Sequence, residues 1–371
     1  MMRIGLIVNP VAGLGGRVGL KGSDGADIQQ RAVELGAIPC ATDRAIETLK
    51  YLLPLKTDLA ILTYPGSMGE IAARRAGFLP FVLGQILFDH TTAEDTKRAV
   101  KELMNKDLSL LLFTGGDGTA RDIYAAGGSE IPTLGIPAGV KIHSAVYAIH
   151  PRAAGELAMA YLREETELNL AEVMDIDEEE FRKGRVSPKL YGFLKVPYLQ
   201  RFVQGAKAAS PQLSSSALKG IADDLFVRMS PGTIYIFGPG SSTYVIAKHL
   251  GMEKNLLGVD AYLDGRVIAS DANESALLEL LFNYPTAEII VTPIGGQGCI
   301  FGRGNQQISP AVIRKVGETR FRIVSTPEKL QALKGQPLWV DTGDYTLDKM
   351  LCGYYPIITG YKEYVMYKVT S

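Results

Sequence analysis

The chain has no run of eighteen apolar residues, which excludes a membrane-spanning helix on length alone. It has no excess of either charge: 39 Lys and Arg face 40 Asp and Glu, for a formal net charge of −1. That balance offers no electrostatic case for nucleic acid or for an acidic membrane surface. Cysteine is scarce, and Cys40, Cys299 and Cys352 are scattered, odd in number and not at metal-ligand spacing. They fit buried thiols in a reducing compartment. No signal-peptide pattern precedes the first apolar run at residues 3–8, so a cytoplasmic location is expected.

Glycine, in contrast, is abundant. The 371 residues include 40 glycines, which cluster in loops rather than spreading as linker. With 46% hydrophobic and 21% charged residues, the composition is that of a soluble, well-packed protein of two or three domains. The glycine clusters are where function is to be sought.

The chain is organised around residues 114–119, TGGDGT. An apolar run at 108–113 reads as a buried strand leading into it, and residues 120–124 read as the start of a helix. Three glycines at such a turn bring the backbone close to a ligand and aim free N–H groups at it, an arrangement suited to phosphate. Asp117 would stand where those phosphates arrive, able to hold Mg²⁺ or to accept the proton of an attacking hydroxyl. A tight turn whose Asp caps the following helix would carry the same residues.

The rest of the first half repeats this theme. The strand at 3–8 empties into residues 9–16, NPVAGLGG, and the strand at 58–63 into YPGSMGE at 64–70. A strand at 131–136 runs into PAGVKIHS at 137–144. Helices are expected at 27–35, 45–53 and 92–105, the last opening on Thr92 with Asp95 three residues on. This alternation implies a doubly wound α/β domain, whose ligands gather at the carboxyl ends of the strands. Lys141 could meet a phosphate or stay solvated. His143 and Ser144 could contact a ligand or open a helix.

Three segments in this order and spacing, NPVAG at 9–13, GGDGT at 115–119 and LGIPAG at 134–139, resemble the signature of the NAD kinase and diacylglycerol kinase superfamily. More narrowly, GIPAGVKIHS at 135–144, EVMDID at 172–177 and GGQGCIFGRGNQQ at 295–307 resemble the archaeal and bacterial ATP-NAD kinase-like branch related to acetoin-catabolism protein X. The resemblance implies a Rossmann-like N-terminal domain, a β-rich second domain, and a site in the cleft between them. It gives Asp117 the catalytic role, with Gly115, Gly116, Gly118 and Thr119 cradling the ATP phosphates. Asn9 and Gly13 would edge the nucleotide, with Gly139, Lys141, His143 and Ser144 beside it. The Asn-Glu/Asp pair and the Thr-Gly-Ser-Thr-Ala-Tyr loop of the better-known NAD kinases are not present in that form. The nearest stretch is GPGSSTY at 238–244.

In the second half, strands are expected at 168–176 and 189–196 around an acidic-basic turn at 177–183. Asp175, Asp177, Glu178, Glu179 and Glu180 could attract Mg²⁺ or form a solvated turn. Residues 206–216 read as a loop and 217–224 as a short helix. A second βα series begins with the strand 233–237. Gly238, Gly240, Ser241, Ser242 and Thr243 then stand at a helix N-terminus and suit a phosphate. A strand at 256–259 ends at Asp260, where a ribose hydroxyl is held in dinucleotide folds. After the strand 287–291 come Gly295 and Gly296, then Arg303 between two glycines, free to grip a phosphate bidentately, and Asn305. A surface Ω-loop is the alternative there. The tail at 361–369 is β-like and is expected to return to an earlier sheet.

The expected fold is α/β, a Rossmann-like N-terminal domain followed by a β-rich second domain carrying a further α/β segment. Its divisions are 1–150, 151–231, 232–345 and a C-terminal β segment at 346–371. The expected activity is ATP-dependent transfer of phosphate to a hydroxyl with Mg²⁺ or another divalent cation, NAD being the first-choice acceptor, in a homo-oligomer. A kinase for another small-molecule or lipid hydroxyl, or a non-catalytic nucleotide-binding regulator, are the rival readings.

Overall fold

The computed structural model describes residues 1–16, 18–20, 26–86, 91–139, 142–176, 188–199, 215–294 and 298–371. The chain divides into two units. One comprises Met1–Leu14 and Lys21–Ala206, the other Gly15–Leu20 and Lys207–Ser371.

The apolar runs that open the first unit lack polar alternation because both faces of their sheet are covered. β1 (Met2–Val8), β2 (Leu59–Thr63), β3 (Phe81–Val82), β4 (Leu110–Gly115) and β5 (Thr133–Pro137) form one parallel sheet in the order β3-β2-β1-β4-β5. Every residue of β2, β4 and β5 is buried. The order reverses between β1 and β4, which makes the gap between their carboxyl ends the switch point where such sheets take ligands.

Helices α1 (Ala26–Glu34), α2 (Ala41–Lys50), α3 (Glu70–Arg75), α4 (Ala93–Met104), α5 (Asp117–Ala125) and α6 (Pro151–Leu162) make the connections. α4 begins as its sequence dictates, with Thr92 and Asp95 in a reciprocal capping box. His150, the last residue of the expected 1–150 division, caps α6 through Nδ1, which accepts from the Ala153 N–H at 3.0 Å. The unit continues into an antiparallel ribbon, β6 (Glu167–Ile176) with β7 (Pro188–Tyr198).

The second unit is built on nine strands in the order β10-β9-β8-β11-β13-β15-β16-β14-β12. Its middle is parallel: β8 (Ile234–Phe237), β11 (Ala287–Val291), β13 (Phe321–Val324) and β15 (Gly353–Gly360). β9 (Asp260–Leu263) runs antiparallel to β8 and pairs with β10 (Arg266–Ala269). The tail strand β16 (Glu363–Thr370) folds back on β15 and carries β14 (Leu338–Val340), which carries β12 (Cys299–Phe301). The sequence reading places a β segment at 346–371 but does not delimit β15 within it, because Gly353, Pro356 and Gly360 interrupt its pattern. Helices α7 (Ser215–Arg228), α8 (Ser241–His249), α9 (Glu274–Asn283), α10 (Pro310–Val316), α11 (Pro327–Gln331) and α12 (Tyr345–Met350) complete the unit. The sequence-expected fold class is what forms: a parallel α/β sheet first, then a β-rich sheet with its own α/β series.

Candidate functional site

At the switch point of the first sheet three loops lock together. Gly116, the N-cap of α5, lies against Gly139: a Cβ on Gly139 would stand 2.9 Å from the Gly116 Cα. The carbonyl of Gly115 accepts from the N–H groups of Ala138 and Gly139 at 3.0 and 3.1 Å. Gly13 has φ +75°, and a Cβ there would be 1.9 Å from the Ala138 carbonyl oxygen, so only glycine fits. Asn9 closes the set. Its side-chain amide donates to Thr119 Oγ1 at 3.0 Å across the β1–β4 gap, and its N–H reaches the Thr114 carbonyl at 3.0 Å.

Asp117 is the first residue of α5 and is buried. Its Oδ2 accepts from the backbone N–H of His143 at 2.7 Å and lies 3.1 Å from the imidazole Nδ1 of the same residue. Oδ1 accepts from the N–H of Ser144 at 3.0 Å. An oxygen that already accepts a backbone N–H is an acceptor for the ring as well. In the neutral ring the proton therefore sits on Nδ1, and Nε2 then carries the lone pair. The residues carrying these donors are themselves anchored. Ser144 Oγ donates to the Met174 carbonyl at 2.7 Å and accepts the Met174 N–H at 3.0 Å, tying the loop to β6. Tyr147 donates its hydroxyl proton to the Gly116 carbonyl at 2.5 Å.

Asp117 therefore does not cap its own helix. No side chain caps α5, so its first amides, which have no partner inside the helix, remain available to an anion. Gly116, Gly118 and Gly139 are the partly exposed backbone of this patch, while Asp117 and Thr119 are buried beneath it. Among the described residues the loop after β2 shows no such bond to these three. It closes on itself, with Glu70 accepting the Gly66 N–H at 3.0 Å and drawing Arg74 to 2.9 Å. Those two partners hold the Glu70 carboxyl below its ordinary value.

Asp175, grouped by sequence with an acidic turn, is an ion-pair partner instead. Its carboxylate accepts from Arg121, one turn along α5, at 2.6 Å. The pair straps α5 to β6. Arg121 is the contributor that sequence reading missed, since a lone arginine on a helix gives no signal by itself. Lys141 and the acidic residues Asp177, Glu178, Glu179 and Glu180 lie outside the described residues, as do Gly295 and Gly296.

In the second unit, Gly238 and Gly240 bound the turn from β8 into α8, and Gly240, at φ +130°, is the N-cap with no side-chain cap. Thr243 turns inward and donates to the carbonyls of Gly238 and Gly240 at 2.8 and 3.0 Å. Ser241 is exposed, whereas Ser242 is fully buried and its Oγ has no hydrogen-bond partner.

Asp260 and Asn305, both expected at the ligand, are engaged in bonds within this unit. Asp260 begins β9 rather than ending a strand at 256–259. Its carboxylate is enclosed by four donors: the Lys254 ammonium at 2.9 Å, the Asn255 N–H and side-chain amide at 2.9 and 3.0 Å, and the Asp271 N–H at 2.8 Å. No acceptor site remains for a ribose hydroxyl. Burial opposes the charge on Asp260, but Lys254 and the amides outweigh it and hold the carboxyl below its ordinary value. Asn305 is likewise inward. It accepts from the Gly302 N–H at 2.9 Å and donates to the Ile300 carbonyl at 2.8 Å, stapling the loop that presents Arg303. Both residues build structure.

Among the described residues no helix is long and apolar enough to cross a membrane, and no three His, Cys, Asp or Glu side chains gather as a metal site. No curated protein and no solved structure matches the chain. Family comparison does. The ATP-NAD kinase N-terminal domain matches residues 4–166, which contain the three interlocked loops and Asp117. The ATP-NAD kinase C-terminal domain matches residues 232–369, from just before β8 into the last strand. With both domains present in order, the chain belongs to the ATP-NAD kinase family.

Proposed function

We propose that this kinase transfers a phosphoryl group from ATP to a hydroxyl of NAD, making NADP. The observation that carries the reading is the fixed carboxylate of Asp117 at an uncapped helix N-terminus where two glycine loops meet. Phosphoryl transfer asks little covalent chemistry of a protein; it needs positioning, charge neutralisation and a proton acceptor. The uncapped amides at the start of α5 would take phosphate oxygens of the donor. The acceptor hydroxyl would give its proton to Asp117, directly or by way of the imidazole that Asp117 orients.

A divalent cation would reach this site with the nucleotide. Among the described residues no side chains make a cage, and Mg²⁺ commonly enters on phosphates with its waters retained. It would arrive on the triphosphate and offset its charge. A cytoplasmic location and a homo-oligomer belong to the same reading.

The departure from the usual acceptor loop keeps a second acceptor in view, another small-molecule hydroxyl. Purified protein incubated with Mg²⁺, ATP and NAD, assayed for NADP, tests the proposal. ATP consumption that needs a different metabolite would retain the kinase and discard NAD.

A further inference from the structure

The carboxyl ends of β8, β11 and β13 lie side by side in the second unit, and each delivers a polar residue. Thr292 follows β11. It is buried, and its Oγ1 accepts from the ammonium of Lys329 at 3.0 Å. Its methyl group packs on the start of α8: a Cβ on Gly240 would lie 3.1 Å from Thr292 Cγ2. Lys329 comes from α11, just past β13, so its ammonium is brought against the hydroxyl of a residue whose methyl group lies against the α8 N-cap.

This arrangement is incomplete as it stands. An ammonium has three protons to donate. No carboxylate lies within ion-pair distance of Lys329 among the described residues, whereas the buried Lys254 of the same unit has Asp260. Burial pulls the Lys329 ammonium down to about 8. Ser242, in the first turn of α8, holds a fully buried hydroxyl with no partner. Such groups cost stability unless something occupies them. A buried cation, an idle hydroxyl and uncapped amides at a nine-residue helix all want the same thing, a compact anion with several acceptor oxygens.

We propose that Lys329, seated on Thr292, forms with Ser242 and the N-terminus of α8 a second anion site, one that binds a phosphate group of a nucleotide ligand. Lys329 supplies the counter-charge, Ser242 and the α8 amides donate to the oxygens, and Thr292 fixes the ammonium. The identity of the ligand rests on the kinase reading above; the existence of the site does not. Two phosphates could fill it, that of the donor or that of the dinucleotide acceptor.

Binding measured without turnover separates these possibilities. Titration calorimetry would use Mg-ATP, NAD and inorganic tripolyphosphate, each alone, on wild type, Lys329→Met, Thr292→Val and Ser242→Ala. Lys329→Met is expected to weaken at least one probe tenfold or more while apo melting temperature holds or rises. Ser242→Ala is expected to weaken the same probe several-fold with no loss of melting temperature. Loss confined to ATP and tripolyphosphate assigns the site to the donor, and loss confined to NAD assigns it to the acceptor. Wild type that binds none of the three, unchanged affinities in Lys329→Met, or a lower apo melting temperature in that variant would each overturn the proposal. Absence of NADP formation with these affinity losses intact would instead sink the NAD kinase reading and leave the site standing.

Discussion

At the carboxyl end of the first sheet the buried charge is an acid, Asp117, held by the backbone amides of its own unit. At the carboxyl end of the second sheet it is a cation, Lys329, held by one hydroxyl. Both sit beside a helix that begins on a glycine without a side-chain cap. Many other helices here are capped by a side chain, among them α4, α6, α9, α10, α11 and α12. The two ends thus share an anion-ready helix start and differ in the charge beside it. An acid beside phosphates is of no use for binding, since it repels them; a cation with no carboxylate beside it is of no use for folding, since it is costly to bury. On the two proposals made above, the first end would do the chemistry and the second would bind.

The sharpest way to break this comparison is at Asp117. Asp117→Asn puts an amide NH₂ among N–H donors and removes the proton acceptor. Turnover is expected to fall by about 10²–10⁴-fold with the far-UV spectrum unchanged. Near-normal turnover would remove Asp117 from the mechanism.

Asp260 tests whether a buried acid in the second unit is structural. Asp260→Ala leaves Lys254 buried without its partner and is expected to cost about 3–5 kcal/mol in denaturant unfolding. Because the Asp260 carboxyl lies below its ordinary value in the folded chain, its contribution is present above that value. It is lost as pH falls through the lowered one. The variant should therefore lose its deficit relative to wild type in strong acid. A variant as stable as wild type at pH 7 would contradict the hub geometry.

Gly13 tests the interlock of the first site. A methyl at φ +75°, driven toward the Ala138 carbonyl, is expected to cost about 2–3 kcal/mol. Thermal unfolding should show several degrees of loss, and ATP affinity should fall with it. Unchanged melting would mean the loops yield more readily than their contacts imply.

Lys329 gives the smallest shift and the opposite sign. Its folded value of about 8 lies below its ordinary 10.5, so its charge opposes folding. That opposition is complete below about pH 8 and fades as pH rises toward 10.5. Lys329→Met is expected to stabilise the ligand-free chain at pH 7 by about 1–3 kcal/mol, with the gain gone by pH 10.5. A destabilised variant would make Lys329 an ordinary structural residue.

Much of the first site was legible in the sequence because its elements are local. Strand, glycine turn and helix follow one another within residues 108–125, and Thr92 with Asp95 marked α4 directly. The partners of Asp117 were named too, as His143 and Ser144, but not their role. That depended on a fold that brings residues 26 and 27 positions away onto one carboxylate. In the second unit the glycine loop and α8 could be read for the same local reason. Asp260 misled because spacing from a glycine loop cannot reveal four donors closing around it. Lys329 and Thr292 carried no signal at all, since the contact joins residues 37 apart on separate strand ends.

The central claim is that Asp117 works on a phosphoryl group bound at the start of α5. The most direct measurement incubates wild type and Asp117→Asn with Mg²⁺, ATP and NAD and quantifies NADP, with ATP affinity measured in parallel. The account predicts NADP from wild type, little from the variant, and ATP affinity within a few-fold in both. Equal NADP from the two proteins, or ATP binding by neither, would contradict it.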